Sequence, residues 1–327
     1  MCSSSGATDV GQSTAVLLTV FNRPEQTKRT VEALLRERPA RLYVSGDGPR
    51  AHAASDAALV DAVWDVVHAA PWECEVIEHR SSENLGCGVS VRAALDWFFA
   101  AEPSGCVLED DVELGTGALA LASEMLALGQ SRDDVGSISL LNTVPREHLS
   151  EAGASFRQSR YLSSWGWGSW ADVWARSPRS LSDWRTWLPE DRLDAIGGAQ
   201  FAARWAGIFD SDEGRNPQIW DYTWQAYLWS QSPITFVANV NLVLNNGFTQ
   251  DATYTLYRPA WVPASVGTWS PPLLVPAQDG FDESADEWES RHRYGISRTT
   301  GLRNSIASRV PGLVSRYRRM RYGDGAS

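Results

Sequence analysis

The 327-residue sequence has almost no lysine: Lys28 is the single one, and arginine supplies the rest of the 29 basic residues, against 40 acidic ones. A formal net charge of −11 excludes the broad basic field that nucleic-acid binders use to displace phosphate counterions, so no nucleic acid is expected as a partner. Cysteine is scarce as well. Cys2, Cys74, Cys87 and Cys106 make no CxxC pair and no framework spacing, which excludes a disulfide-stapled module and suits a reducing compartment. His52, His68, His79, His148 and His292 are scattered without ligand spacing, so no histidine metal site is expected. No stretch approaches the roughly 18 apolar residues of a membrane-spanning helix. The opening MCSSSGATDVGQS carries neither the basic start nor the apolar run of a secretory leader, and a cytoplasmic protein is the expectation.

What is present is apolar and aromatic. Hydrophobic residues make up 43% of the chain, enough for one large core or two joined ones. Ten of the sixteen tryptophans fall between Trp165 and Trp229. The first half alternates short apolar runs with helical patterns, as a parallel sheet wrapped by helices requires. AVLLTV at 15–20 reads as a strand; Asn22, Pro24 and Glu25 then supply a cap, a helix-starting proline and a first-turn carboxylate. The unit repeats with a strand at 41–45, a DG turn at Asp47 and Gly48, and a helix carrying Leu59, Val60, Val63, Val66 and Val67 on one face. A strand at 74–79 leads through SSENLGCG to a helix carrying Val91, Ala94, Leu95, Phe98 and Phe99, and a strand at 104–108 runs directly into Glu109, Asp110 and Asp111. Further strands are expected at 135–141 and 234–244. Residues 258–280 are proline-rich and aperiodic and read as an extended surface segment, followed by an acidic helix near 282–290 and an arginine-rich tail.

In open parallel sheets ligands bind beyond the carboxyl ends of the strands, where the acidic triplet lies. Taken alone the triplet can be a solvated turn; at a strand end, though, three like charges repel one another, and a divalent cation compensates them. Hard cations such as Mn2+ or Mg2+ take oxygen ligands, and one protein carboxylate such as Asp111 suffices when phosphate oxygens and waters complete the shell.

VLEDDVEL at 107–114, behind strands ending in FNRP and SGDG, resembles the GT-A nucleotide-sugar transferases, closest to the group that includes the Golgi N-acetylglucosaminyltransferase I and bacterial hemolysin-like sugar transferases. SSWGWGSWADVW at 163–174, WDYTW at 220–224 and NLVLNNGFTQDAT at 241–253 extend the resemblance over roughly residues 15 to 253. It implies a GT-A, Rossmann-like α/β fold with an acceptor-side subregion, and transfer of a sugar from a nucleotide-diphosphate donor to a glycan, lipid-linked or small-molecule acceptor. The implied organisation is a disordered stretch 1–13, a catalytic domain 14–257 divided near 145 into a nucleotide-sugar half and an acceptor half, and a C-terminal segment 258–327.

The resemblance also implies roles. Arg23 and Asp47 would bind the base, a carboxylate suiting the imide N–H of uridine; Glu109 and Asp110 would face the ribose and the sugar; Asp111 would hold the metal. The loop through Asn84, Gly86 and Gly88 can bring backbone close to the donor, or serve only as a turn, and Arg92 behind it can reach phosphate or sugar. An inverting transfer needs a carboxylate base. Asp221 resembles the aspartate of the WDDW position in the Golgi enzyme, with Trp220 and Trp224 able to wall the acceptor and desolvate it; Asp183 in LSDWR is the competing base. Trp165, Trp167 and Trp170 suit a sugar-contacting wall, because aromatic faces stack on the C–H faces of sugars, and any one of them can instead be a core residue. Asn245, Asn246, Gly247 and Phe248 would close the donor site. The tail arginines Arg309, Arg316, Arg318, Arg319 and Arg321 alternate with apolar residues and offer a peripheral contact to an anionic membrane, or form a solvated tail. Two other readings remain: a nucleotidyltransferase making nucleotide-sugars, for which FNRPEQTKRT lacks the usual glycine-rich basic loop, and a non-catalytic carbohydrate-binding protein.

Overall fold

A computed structural model describes residues 14–211, 214, 216–248 and 258–296. The end of the last motif, residues 249–253, and the arginine-rich tail lie outside the described residues. The first strand, β1 (Ala15–Val20), is buried at all six positions, as a continuous apolar run should be when helices cover both faces of a sheet. Helix α1 (Pro24–Glu37) begins on its proline, whose missing N–H costs nothing at that position. Asn22 does not cap it: its amide donates to Asp56 across 2.9 Å, and Arg23 occupies the cap position without a side-chain bond. The alternation continues through β2 (Arg41–Gly46), α2 (Asp56–Ala69), β3 (Glu75–Arg80), α3 (Cys87–Ala101) and β4 (Ser104–Glu109).

After β4 the chain makes a short strand β5 (Val112–Leu114), helix α4 (Ala118–Gly129), then β6 (Val135–Ser139), β7 (Phe156–Ser159) and β8 (Trp167–Trp170). Four helices follow, α5 (Ala171–Ala175), α6 (Trp184–Trp187), α7 (Glu190–Gly197) and α8 (Ala199–Asp210), then a helix Asp221–Gln231. The apolar run 234–244 is two strands rather than one, β9 (Ile234–Ala238) and β10 (Val243–Asn245). It breaks because Asn239 donates to the carbonyls of Glu151 and Ala154 and Asn241 to those of Val243 and Ser265, turn chemistry that a ladder does not permit. The acidic helix is Glu283–His292.

The main sheet has eight strands in the order β3-β2-β1-β4-β8-β6-β9-β7. β8 and β7 run against the other six, so the sheet is mixed but mostly parallel, and with its flanking helices it forms an α/β fold. β10 pairs antiparallel with β5, a two-stranded ribbon rising from the carboxyl edge. Among the described residues no helix is long and apolar enough to cross a membrane.

Two cores result. One lies on both faces of the sheet; the second packs Trp184, Phe201, Trp205, Phe209 and Trp229 among α6, α7, α8 and the Asp221 helix. An aromatic ring removes roughly 150–250 Å² from water on burial, an upper limit of about 4–6 kcal/mol, which is why most of the tryptophan-rich half turns inward. The segment read as an extended surface is anchored as well. Trp269 is buried in the main core and donates its indole N–H to Ser155 across 3.1 Å.

Candidate active site

The carboxyl edge collects the sequence-singled residues by topology. β1 delivers Phe21 and Arg23, β2 delivers Asp47, β4 delivers the acidic triplet, and the β5–β10 ribbon returns to it. In that ribbon Asn245 pairs with Val112, so the Asn246 N–H reaches the Asp111 carbonyl at 2.8 Å. Gly247 then lies so close that a Cβ there would stand 2.1 Å from Asp111 Oδ2. A side chain at Gly247 and the carboxylate cannot share that space.

Within the triplet each acid has a different state. Asp110 is 7% exposed and accepts the Phe21 N–H at 3.2 Å, tying β4 to the end of β1; burial, then the charge of Asp111, pushes its carboxyl up to about 7. Glu109 is raised well above the usual carboxylate range by burial, then by Asp111, Asp110 and Asp221. Asp111, 6% exposed, is also raised by burial, opposed by Arg23, whose guanidinium is 2.9 Å from its Oδ2. The other oxygen, Asp111 Oδ1, is buried with no hydrogen-bond partner among the described residues. A buried carboxylate oxygen without a donor is costly unless something binds it. It fits a cation, and an oxygen donor suits Mn2+ or Mg2+. Among the described residues no three of His, Cys, Asp and Glu group as a metal cage, so a protein share of one carboxylate is the fit.

Several predicted contacts are differently spent. The Asp47 carboxylate, expected to read a base, accepts the N–H groups of Gly48 (3.0 Å), Leu85 (2.9 Å) and Gly86 (3.1 Å) and the Asn84 amide (2.9 Å). A carboxylate has about four acceptor positions, and all are taken, so none remains for an imide N–H. Arg23 is paired with Asp111 at 2.9 Å. Gly86 and Gly88 do allow a close backbone approach, but by the chain itself: a Cβ on Gly88 would meet the Pro217 carbonyl at 2.0 Å, one on Gly86 the Gln218 side chain at 2.5 Å, and the Gly88 N–H donates to Gln218 at 3.0 Å. Gly86 also holds a φ of 81°, where glycine carries no penalty. Arg92 donates to the carbonyls of Pro178 (3.2 Å) and Trp220 (3.5 Å). The loop and Arg92 therefore hold the segment that delivers Asp221.

Asp221 is the first residue of its helix, where the positive end of the helix dipole favours an ionised carboxylate. Its charge acts on Glu109 and Cys87 and, from the other side, on Arg293 and Tyr294. The competing Asp183 is exposed at the head of the short α6. Trp220 and Trp224 are core residues and do not wall a ligand; they pack on Trp167, itself fully buried, with ring centroids at 5.6 Å from each. Trp167 pairs with Val107 near the carboxyl end of β4, whereas Trp170 pairs with Ser104 at its amino end, away from the acidic triplet. Trp165 is the half-buried member of that trio, stacked on Trp261 at 5.8 Å and edge-on to Phe248 at 5.7 Å. Trp261 and Arg293 had no role in the sequence reading: Trp261 lies in the aperiodic proline-rich segment and Arg293 just past the acidic helix, and no local signal marks either. A hollow of about 310 Å³ lined by Leu34, Leu35, Trp72 and Cys74 is at the opposite edge, by the amino ends of β2 and β3, and Glu73 is the one acid in its lining.

The sequence matches no family model and no curated relative. Structural superposition finds similarity to a mannosyltransferase from Pyrobaculum calidifontis in complex with GDP-Man and Mn2+ (12% identity, TM-score 0.39, 66% of this chain and 69% of that one). It also finds HddC from Yersinia pseudotuberculosis (11%, 0.29, 50% and 79%) and mouse xyloside xylosyltransferase 1 in its apo form (13%, 0.30, 50% and 69%). Likeness of this degree transfers neither residues nor reaction, so function is argued from the site itself.

Proposed function

We propose that this chain is a divalent-metal-dependent glycosyltransferase that moves a sugar from a nucleotide-diphosphate donor, a uridine diphosphate sugar foremost, to an acceptor hydroxyl with inversion. The observation that carries the reading is the buried Oδ1 of Asp111, without a hydrogen-bond partner among the described residues, in a triplet of carboxylates at the carboxyl edge where the charge of Asp221 acts on Glu109. The order of motifs supports placement near the N-acetylglucosaminyltransferase I group. With Asp47 committed to its own loop, base recognition is expected from other groups on this edge.

Asp111 would hold Mn2+ or Mg2+, with Arg23 fixing its carboxylate. A divalent cation there supplies Lewis-acid neutralisation of the departing diphosphate. Asp221 takes the proton of the acceptor hydroxyl as its oxygen bonds to the anomeric carbon; the bond from that carbon to the diphosphate breaks, and its electron pair leaves with the nucleoside diphosphate. The Asn84–Gly88 loop and Arg92 keep Asp221 in register. Peripheral contact of the basic tail with a membrane belongs to the same proposal, for a lipid-linked acceptor.

Titration calorimetry with UDP, GDP and dTDP, each with and without Mn2+, tests the donor site. Metal-dependent binding of one nucleotide, lost in Asp111→Ala, is the expected result; no binding of any would sink the reading. The half-buried Trp165–Trp261 stack favours one second reading, a carbohydrate-binding protein without catalysis. Asp221→Asn separates the two: a transferase loses on the order of 10²–10⁴-fold in turnover and keeps donor affinity, whereas a binding protein changes little.

A further inference from the structure

The hollow at the amino edge of the sheet encloses about 310 Å³, near the lower end of the roughly 300–1,000 Å³ typical of small-molecule sites. Leu34, Leu35, Trp72 and Cys74 give it apolar walls packed into the main core. Arg38 and Glu73, both mostly exposed, complete the lining as a pair 3.7 Å apart, so their charges largely offset each other.

Two helices end at this edge. In a parallel α/β unit the helices run against the strands, so α1 and α2 bring their carboxyl ends here, each equivalent to about half a negative charge. Both are stopped by a proline, and each proline removes the N–H that would have met the carbonyl four residues back. For α2 that carbonyl belongs to Val67, ahead of Pro71, and the Trp72 indole N–H replaces the lost donor at 2.8 Å. For α1 it belongs to Leu35, ahead of Pro39. The Arg38 N–H goes to the Leu34 carbonyl at 2.9 Å, with Arg38 at a φ of 53°, the one positive φ on a non-glycine among the described residues. The Leu35 carbonyl has no hydrogen-bond partner among the described residues, and Leu35 is part of the lining.

These groups select the sign of a ligand. A carboxylate placed here would meet two helix carboxyl ends, Glu73 and an unmet acceptor, against a single guanidinium that is already paired. A protonated amine would meet the same groups as partners, since an ammonium offers three donors and no acceptor. We propose that the hollow binds a small primary ammonium ion with one apolar body. Its head donates to the Leu35 carbonyl and to Glu73, and its body lies against Leu34, Leu35 and Trp72. The site is at the opposite edge of the sheet from Asp111 and does not depend on the transferase reading.

Titration calorimetry of the full chain with phenethylamine and with 3-phenylpropionate, in the absence of nucleotide and metal, tests it, because the two probes share one apolar body and differ in the charge of the head. Phenethylamine should bind and phenylpropionate should not. Glu73→Gln should weaken the amine about fivefold, the exposed carboxylate being screened by solvent. Arg38→Gly, which suits the left-handed backbone and removes the opposing cation, should bind it at least as tightly. Phenethylamine should also slow alkylation of Cys74 by iodoacetamide, followed on its own peptide by mass spectrometry. Equal binding of the two probes, no binding of the amine, or an unchanged rate at Cys74 overturns the site. Amine binding that survives Glu73→Gln and disappears in Asp111→Ala would place the amine at the acidic carboxyl edge and overturns it equally.

Discussion

The turns after β2 and β4 start from the same materials and end in opposite states. Each follows a buried parallel strand, each opens at the carboxyl edge, and Asp47 and Asp111 are both 6% exposed. Around Asp47 four donors converge from its own turn and from the Asn84–Gly86 loop. Around Asp111 the neighbours are two further carboxylates and a single guanidinium on one oxygen, and the other oxygen has no partner among the described residues. A buried carboxylate with all its acceptor positions filled has none left for a ligand, whereas one with an open position has. Hydrogen-bond accounting, rather than strand-end position, separates the two roles.

Exchanging the lesions breaks the comparison most strongly. Asp111→Ala is expected to lower turnover by on the order of 10³-fold and to abolish metal-dependent nucleotide binding. It should leave the urea midpoint unchanged or slightly raised, because it removes a charge that burial disfavours. Asp47→Ala should do the reverse in order of severity. It strands three N–H groups and an amide, a loss of about 3 kcal/mol in urea unfolding, and it lowers turnover only as far as the loop slackens around Asp221. If Asp47→Ala instead lost base affinity at full stability, the structural role would be wrong.

The same accounting explains what the sequence could and could not tell. β1 was legible to the residue because a run of five apolar residues and one threonine between turn signals has few other uses, and the acidic triplet was legible because it ends such a strand. The functions of Gly86 and Gly88 were not, since their partners Pro217 and Gln218 lie 130 residues away and nothing local distinguishes a glycine that admits a ligand from one that admits another stretch of chain. The tryptophans left core and wall open for a related reason. Trp165 and Trp167 share one short motif, yet Trp167 starts the central β8 and is covered by Trp220 and Trp224, whereas Trp165 precedes the strand and stays half-buried. Trp261 and Arg293 could not be assigned because long-range packing alone brings them to the edge.

Gly247→Ala sharpens the comparison without touching a charge. Its methyl would intrude on Asp111 Oδ2 at 2.1 Å, so either the carboxylate or the β5–β10 ribbon must shift. The Mn2+-dependent nucleotide dissociation constant should rise about tenfold by calorimetry, with a stability loss of roughly 1–2 kcal/mol from overpacking. Unchanged affinity would mean that the carboxylate has room to move and that its placement is not tightly specified.

Asp56 supplies a third carboxylate near that edge and the smallest expected effect. It is 1% exposed and is paired with Arg50 at 2.5 Å and with the Asn22 amide at 2.9 Å, and these bonds, Arg50 first, hold it well below its ordinary value of 3.8. A carboxyl whose folded-state value is lowered stabilises the protein above its unfolded value, and that contribution disappears as pH falls through the folded one. Arg50 is 42% exposed, so solvent screens the pair and the contribution is about 1 kcal/mol. The wild-type advantage over Asp56→Asn in urea unfolding should therefore be full near neutral pH and shrink from about pH 5 to about pH 2. An advantage that grew on acidification would show that Asp56 is held protonated in the folded state, and would place it with Glu109 and Asp110 among the acids raised by burial rather than with Asp47 among those held by donors.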